Sequence, residues 1–151
     1  KIPTFSEFAN ASLQDIYGEK INTSYMREVT DLKSYILINN GDSTFKKVKL
    51  PDLAQTIPIL SSDVFDYDKD GFEDIIVSGN IYNTEVETPR LDNPFALVLL
   101  SNNVDGYYCL SPEITGLYTN GNAKSIQIID NPKLLLIGNN SESIESFKIN
   151  N

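Results

Sequence analysis

Histidine is absent from the 151 residues, and cysteine occurs once, as Cys109. Without histidine there is no His-dependent triad, no His metal cluster and no His general base, which leaves carboxylates, Lys, Tyr, Ser and Thr for any chemistry. A lone cysteine forms no intrachain disulfide and no zinc cluster, and it leaves the redox compartment undecided. Basic residues are scarce, 12 Lys and Arg against 21 Asp and Glu, for a net charge of −9. Nucleic-acid binding needs a basic face that displaces counterions from phosphates, so it is not expected. Cations suit this balance better. No apolar run approaches about 18 residues, so no direct membrane insertion is expected either. Lys1-Ile2-Pro3 is not a secretion signal; an exported protein would have lost its signal or would carry it outside this chain.

What is present begins with an amphipathic pattern. Thr4 followed by Glu7 makes a capping box, with Pro3 just before it. Phe5, Phe8, Ala9, Leu13, Ile16 and Tyr17 fall on one helical face, and Gly18 stands where a C-cap glycine belongs. The spacing predicts one helix over residues 4–17, packing on the body of the domain rather than binding a partner.

Beyond Gly18 short apolar runs alternate with Asn, Asp, Gly and Pro. They predict strands over 35–39, 45–49, 59–65, 74–78, 95–101, 107–110, 125–129, 134–137 and 144–149. An all-β sandwich, barrel or propeller follows. An internal repeat decides among them. Tyr35-Ile36-Leu37-Ile38-Asn39-Asn40-Gly41-Asp42-Ser43-Thr44-Phe45 resembles Leu97-Val98-Leu99-Leu100-Ser101-Asn102-Asn103-Val104-Asp105-Gly106-Tyr107. In the same way Asp74-Ile75-Ile76-Val77-Ser78-Gly79-Asn80 returns as Lys133-Leu134-Leu135-Leu136-Ile137-Gly138-Asn139. A period of about 60 residues holding about four strands fits a propeller blade.

The expected architecture is therefore all-β with one N-terminal helix, a partial β-propeller of about two to two and a half four-stranded blades. Residues 1–34 are the helix and a connection, 35–49 the end of one blade, 59–110 a complete blade, and 125–149 an incomplete last blade. A propeller closes with about four to eight blades, so the whole of 1–151 is expected to be the C-terminal segment of a larger propeller. Its open edges would be covered by the rest of that propeller or by another chain.

The most specific feature is Asp66-Tyr67-Asp68-Lys69-Asp70-Gly71-Phe72-Glu73-Asp74, a D-x-D-x-D-G-x-x-D loop. Carboxylates at positions one, three and five converge when the backbone curls, Gly71 permits the turn, Phe72 offers its carbonyl, and Asp74 closes the far side. Several hard oxygen donors at one point are what Ca2+ takes, and magnesium is the weaker candidate. An EF-hand would need a bidentate Glu where Val77 stands and helices on both sides, whereas Ile57-Pro58-Ile59-Leu60 and Ile75-Ile76-Val77 read as strands. Without a cation the clustered aspartates repel one another. The corresponding turn Asp130-Asn131-Pro132-Lys133 is too short and too poor in carboxylates, so one site per chain is expected.

The loop, its flanking strands and the Gly-Asn turn after them resemble the FG-GAP/VCBS repeat family, the blades of integrin-like β-propellers. The resemblance implies calcium ligands at Asp66, Asp68, Asp70 and Asp74 and the carbonyl of Phe72. Leu32-Lys33-Ser34, Leu50-Pro51, Ala54-Gln55, Ser78-Gly79-Asn80-Ile81-Tyr82 and Glu85-Val86-Glu87-Thr88-Pro89-Arg90 make it similar, more narrowly, to the carboxy-terminal part of large bacterial VCBS-repeat proteins related to the CRTAC/UnbV (ASPIC) group. That likeness implies an extracellular or cell-surface protein, associated with the outer membrane, or a periplasmic one.

Two further features are weighed on their residues. The connection Ile81–Pro94 is longer than a hairpin needs, and it reads as an inter-blade clasp with Arg90 paired to a nearby carboxylate in preference to a recognition loop. Phe45, Phe65, Tyr107 and Tyr108 sit at strand positions and read as packing residues, not as a glycan platform. The function expected is a non-catalytic, calcium-binding propeller segment that mediates protein or glycan binding. The alternatives are a structural subunit of a larger outer-membrane assembly for nutrient uptake or secretion, and the non-catalytic part of a carbohydrate-active enzyme. Enzyme activity of this segment itself is not expected, because the clustered carboxylates are committed to the metal.

Overall fold

The computed structural model describes residues 2–102, 104 and 106–149, and the chain divides after Leu32 into two compact units. In the first, helix α1 (Phe5–Asn10) starts on the Thr4 capping box: the Glu7 N–H donates to Thr4 Oγ1 at 3.2 Å and the Thr4 N–H to Glu7 Oε2 at 3.1 Å. The helix does not run on to Tyr17. Ala11 is extended, Ser12 and Asp15 form a second capping box, and a separate helix α2 (Leu13–Tyr17) begins there. The expected single helix over 4–17 is thus two short ones, because Ser12 offers its oxygen to the Asp15 N–H at 3.2 Å and restarts the helix. Both Ser12 hydrogen bonds, side-chain first, hold the Asp15 carboxyl below its ordinary value. A 3-10 turn (Gly18–Thr23) follows. None of the residues in α1 or α2 is buried, and Phe5, Phe8, Leu13 and Tyr17 are exposed.

Among the described residues the second unit holds nine strands in three antiparallel sheets. β1 (Tyr35–Asn39) pairs with β2 (Phe45–Lys49). β3 (Ser61–Phe65), β4 (Asp74–Ser78), β5 (Leu97–Ser101) and β6 (Tyr107–Cys109) pair in that order. β7 (Ala123–Asp130), β8 (Lys133–Asn139) and β9 (Glu145–Lys148) form the third sheet. The strands begin and end within two residues of the expected positions. Missed were a 3-10 turn (Asp52–Gln55) and helix α3 (Pro112–Thr115), both in connections between sheets. Pro112 at the first turn and Gly116 at φ +67 are ordinary start and stop signals for the latter.

Strand alternation sorts the apolar residues into two cores. Ile76, Ala96, Val98 and Leu100 on one face of the second sheet meet Ile126, Leu135 and Ile137 of the third. Val77, Leu97 and Leu99 on the other face meet Leu50, Ala54 and Ile57, with Ile36 of β1 packed against them. The sheets form an open series, first, second, third, and the described residues do not close it into a ring.

The repeat has matching geometry at its first pair of segments. Asn39 opposes Phe45 and Ser101 opposes Tyr107, while the Asn40 N–H donates to Thr44 O at 3.1 Å and the Asn102 N–H to Gly106 O at 3.0 Å. Asn103 and Asp105 of that turn lie outside the described residues. At the second pair the correspondence shifts by one residue. Ile75 and Val77 face the first sheet, and the residues of the third sheet that face its own predecessor are Leu135 and Ile137. By face, then, Asp74 corresponds to Leu134 and not to Lys133, because burial fixes which side chains point inward whatever the sequence similarity suggests.

The third sheet is held to the second by side chains as well as by apolar packing. Ser61 Oγ accepts from the Ile126 N–H at 3.0 Å and Asp63 Oδ2 from the Ile128 N–H at 2.7 Å. Asn80, 1% exposed, donates from Nδ2 to the carbonyls of Asn93 (3.0 Å) and Gly121 (2.8 Å) and accepts at Oδ1 from the Asn93 N–H (2.6 Å). Asn80→Ala leaves those partners buried and unpaired, and a loss of about 3 kcal/mol is expected. Urea unfolding checks it as a lowered midpoint at unchanged slope; a loss below about 0.5 kcal/mol would show that water replaces the amide.

Candidate metal centre

The acidic loop joins β3 to β4, with Phe65 and Asp74 opposed in register at its base. Lys69 at φ +63 and Gly71 at φ +90 turn the backbone back on itself. At Gly71 that value suits glycine and strains any side chain. The curl brings carboxylate oxygens of Asp66, Asp68 and Asp74 within 4.8 Å of one another. Oxygens that share a calcium ion at 2.3–2.6 Å lie at most about 5 Å apart, so the three fit one coordination sphere.

Backbone donors hold the carboxylates in place. The Gly71 N–H donates to Asp66 Oδ2 at 3.0 Å, and the Asp70 N–H lies between Asp66 Oδ1 (3.1 Å) and Asp68 Oδ1 (3.2 Å). Asp74 is 1% exposed. Its Oδ2 accepts from the Tyr67 N–H at 2.8 Å and its Oδ1 from the Ser101 N–H at 2.9 Å, so one carboxylate ties the loop to the end of β5. Asp70 lies outside the three-carboxylate group; its Oδ1 accepts from the Phe72 N–H at 2.9 Å. Phe72 follows Gly71 on the return limb, with its ring half exposed. Of the five residues expected at the metal, Asp66, Asp68 and Asp74 bring carboxylate oxygens together, and Asp70 is joined to Phe72 through the Phe72 N–H.

The gathered charge is felt nearby. Burial first, then the Asp74 and Glu73 carboxylates, push the Tyr107 phenol up. Each pair of charges at about 4.8 Å repels by about 1 kcal/mol in water and by several times that near a protein surface. A divalent cation among them removes that repulsion, and hard carboxylate oxygens are the donors calcium selects. The residues therefore fit a calcium ion, which would be held by Asp66, Asp68 and Asp74.

The turn between β7 and β8 is a plain two-residue hairpin, Asn131-Pro132, with a cis peptide bond between them. It contributes no member to the acidic group found among the described residues. The long connection after β4 is pinched shut by paired hydrogen bonds between Ile81 and Leu91, at 2.9 and 2.8 Å. Arg90 pairs with Asp92 at 2.6 Å and lies 4.4 Å over the Tyr82 ring, whose hydroxyl donates to Asp92 Oδ1 at 2.8 Å. Arg90 thus has the expected carboxylate partner, in Asp92 of the same connection rather than across two sheets. Among the aromatics read as packing residues, Phe65 and Tyr107 are half-buried, whereas Phe45 (58%) and Tyr108 (49%) are exposed. Each lies on an outer strand, β2 or β6, with no further strand paired beyond it among the described residues.

Residues 25–77 match the FG-GAP-like repeat family, a stretch that holds β1 to β3, the whole acidic loop and β4 up to Val77. No curated protein and no solved structure matches the chain.

The roles of Ser101 and Tyr67, which fix Asp74 through backbone N–H groups, carry no signal in the sequence. Their weight is testable by contrast. Asp74→Asn replaces one of two acceptor oxygens by a donor, so it should cost about 1–3 kcal/mol even in calcium-free buffer. Asp68→Asn, at an exposed position, should cost little there and should instead lower calcium affinity. Calorimetric titration and calcium-free thermal melts of both variants separate the two effects; equal behaviour of the pair would refute the division.

Proposed function

We propose that this chain is a non-catalytic, calcium-stabilised segment of an FG-GAP/VCBS-type β-propeller, its sheets serving as blades and its exposed surface engaging protein or glycan. The single observation that carries the reading is the Asp66, Asp68 and Asp74 cluster inside the stretch that matches the FG-GAP-like repeat. In this reading Asp70 and the Phe72 carbonyl complete the ligand set. Calcium neutralises the turn between β3 and β4 and so holds β4 in register with its neighbours. Since Asp74 also fixes the end of β5, the metal would stabilise the middle sheet as a whole. The resemblance of its segments to the CRTAC/UnbV-related group supports reading it as part of an exported bacterial protein at the cell surface, outer membrane or periplasm.

A second reading is a structural subunit of a larger outer-membrane assembly. It is favoured by the exposure of Leu37 (60%) and Phe45 (58%) on the first sheet, positions where a monomer gains by covering apolar surface. Further propeller from the same polypeptide, or another chain, would lie there. No described helix is long and apolar enough to cross a membrane.

Calcium should raise the melting temperature, and at a free concentration one hundred times the dissociation constant the gain is about 2.7 kcal/mol. EGTA should reverse it, and Asp66→Asn with Asp68→Asn should abolish it. A melting temperature indifferent to calcium and EGTA, with no calcium found by elemental analysis of the native protein, would end the proposal.

A further inference from the structure

The second sheet has two unlike ends. At one, the acidic loop joins β3 to β4, residues 102–106 join β5 to β6, and the Ser101 N–H reaches Asp74. At the other, where Ser61 stands opposite Ser78, the chain enters β3 from the 52–60 connection and leaves β4 for the long connection 79–96. In the third sheet, residues 140–144 suffice to join β8 to β9. The added length of 79–96 therefore serves no strand pairing, and long ordered connections of this kind carry binding sites.

Hydrogen bonds hold that connection in one shape. Ile81 and Leu91 pair through two N–H···O bonds, Thr84 Oγ1 donates to Thr88 O at 2.8 Å, and Asn80 ties its base to Asn93 and Gly121. Against the 52–60 connection it borders an open cavity of about 360 Å3, whose lining includes apolar Ile57, Pro58 and Phe95 and polar Arg90, Asp92 and Asn93. An apolar surface with a few polar groups beside it is the usual composition of a small-ligand site.

The polar groups are matched in charge and unfilled in hydrogen bonding. Arg90 and Asp92 neutralise each other at 2.6 Å, and only Nη2 of the guanidinium has an acceptor among the described residues. Asp92 Oδ1 takes the Tyr82 hydroxyl and Oδ2 meets Arg90, which leaves each oxygen a second lone pair. Asn93 is 6% exposed, and its Nδ2 donates to the Phe95 carbonyl. Oδ1 must then turn the other way, and among the described residues no donor meets it. A carboxylate ligand would have to displace Asp92 from Arg90, and an ammonium would have to displace Arg90 from Asp92. A sugar ring does neither: its hydroxyls both donate and accept, and its C–H face lies on apolar side chains.

We infer that this cavity binds a neutral pyranose unit of a glycan. Arg90 donates to ring hydroxyls, Asp92 and Asn93 Oδ1 accept from them, and Ile57, Pro58 and Phe95 lie against the C–H face. This gives a ligand class to the surface proposed above to engage protein or glycan. The site lies at the opposite end of the second sheet from the acidic loop, so the two are separable by experiment.

NMR titration of the chain with the methyl glycosides of glucose, galactose, mannose and xylose tests the assignment. At least one should shift the backbone amide signals of Arg90, Asn93 and Phe95 and reach saturation. Arg90→Ala should weaken that binding about tenfold, and so should Asp92→Asn, which keeps the side chain's size and can still accept from Tyr82. Both variants should melt near the native temperature, and Glu87→Gln, away from the cavity lining, should bind as the native chain does. Four results would overturn the site: no shift with any glycoside up to its solubility limit; shifts confined to residues outside the cavity; binding that survives both substitutions; or acetate or methylammonium binding at the same amides more tightly than any glycoside, which would assign the cavity to a charged group such as a peptide side chain. A chain that binds no glycoside and is still stabilised by calcium would end this inference and leave the calcium-loop reading intact, and glycoside binding by a chain indifferent to calcium would do the reverse.

Discussion

Strand β5 is a wall shared by two cores, and most of the second unit is arranged around that fact. Leu97, Val98, Leu99 and Leu100 are consecutive, and none is more than 4% exposed. Alternation sends Leu97 and Leu99 to one side and Val98 and Leu100 to the other, so the sheet that contains them must be covered on both faces. Its neighbours supply the cover: the first sheet with the 50–57 connection on one side, the third sheet on the other. Such a run reads as a buried strand because nothing in it alternates with polar residues. Once it is buried, a one-residue slip in any paired strand would turn a leucine from one core into the other, and register becomes the constraint that the rest of the unit must respect.

The acidic loop is best understood as part of that constraint. Asp74 is the first residue of β4 and stands opposite Phe65, at the place where a long loop could let the hairpin slip. Its two oxygens are occupied from opposite directions, by Tyr67 within the loop and by Ser101 at the end of β5. Burying a carboxylate is costly unless it is hydrogen-bonded, and here both acceptors are used. Asp74 thus pins register between strands, whereas Asp66 and Asp68 accept N–H groups only within the loop itself. That difference is why the three carboxylates of one cluster are expected to respond differently to neutralisation.

Much of this was legible in the residues, for definite reasons. β1, β2 and β4 start and stop where expected because Asn, Asp, Gly and Pro punctuate short apolar runs on both sides of them. The acidic loop was legible because its donors are close in sequence, so convergence needs only a local curl. Interactions between sheets were not. Asn80 looks like a turn residue, yet its amide reaches Asn93 and Gly121, and the latter lies 41 positions away. Ser61 and Asp63 look like solvent-side strand residues, yet they receive the N–H groups of β7. The helix over 4–17 failed for a local reason: apolar spacing continues through Ala11 and Ser12, while the second capping box there breaks the chain's path.

The contrast between the two β-hairpins that open the second and third sheets shows how little separates a metal loop from a bare turn. Paired by face, Asp74 has Leu134 as its counterpart, so the third sheet has an aliphatic side chain where the second has its buried pin. Its turn spans only Asn131 and Pro132, too short to curl carboxylates around a point, and Asp130 and Lys133 close it as a direct cross-strand pair. Such a turn fixes register by its length alone. The longer loop cannot, and backbone N–H groups donating to Asp66, Asp68 and Asp74 hold its shape from inside. The acidic loop and the two-residue turn are two solutions to one problem of register, and the longer of them gathers three carboxylates that could hold a metal ion.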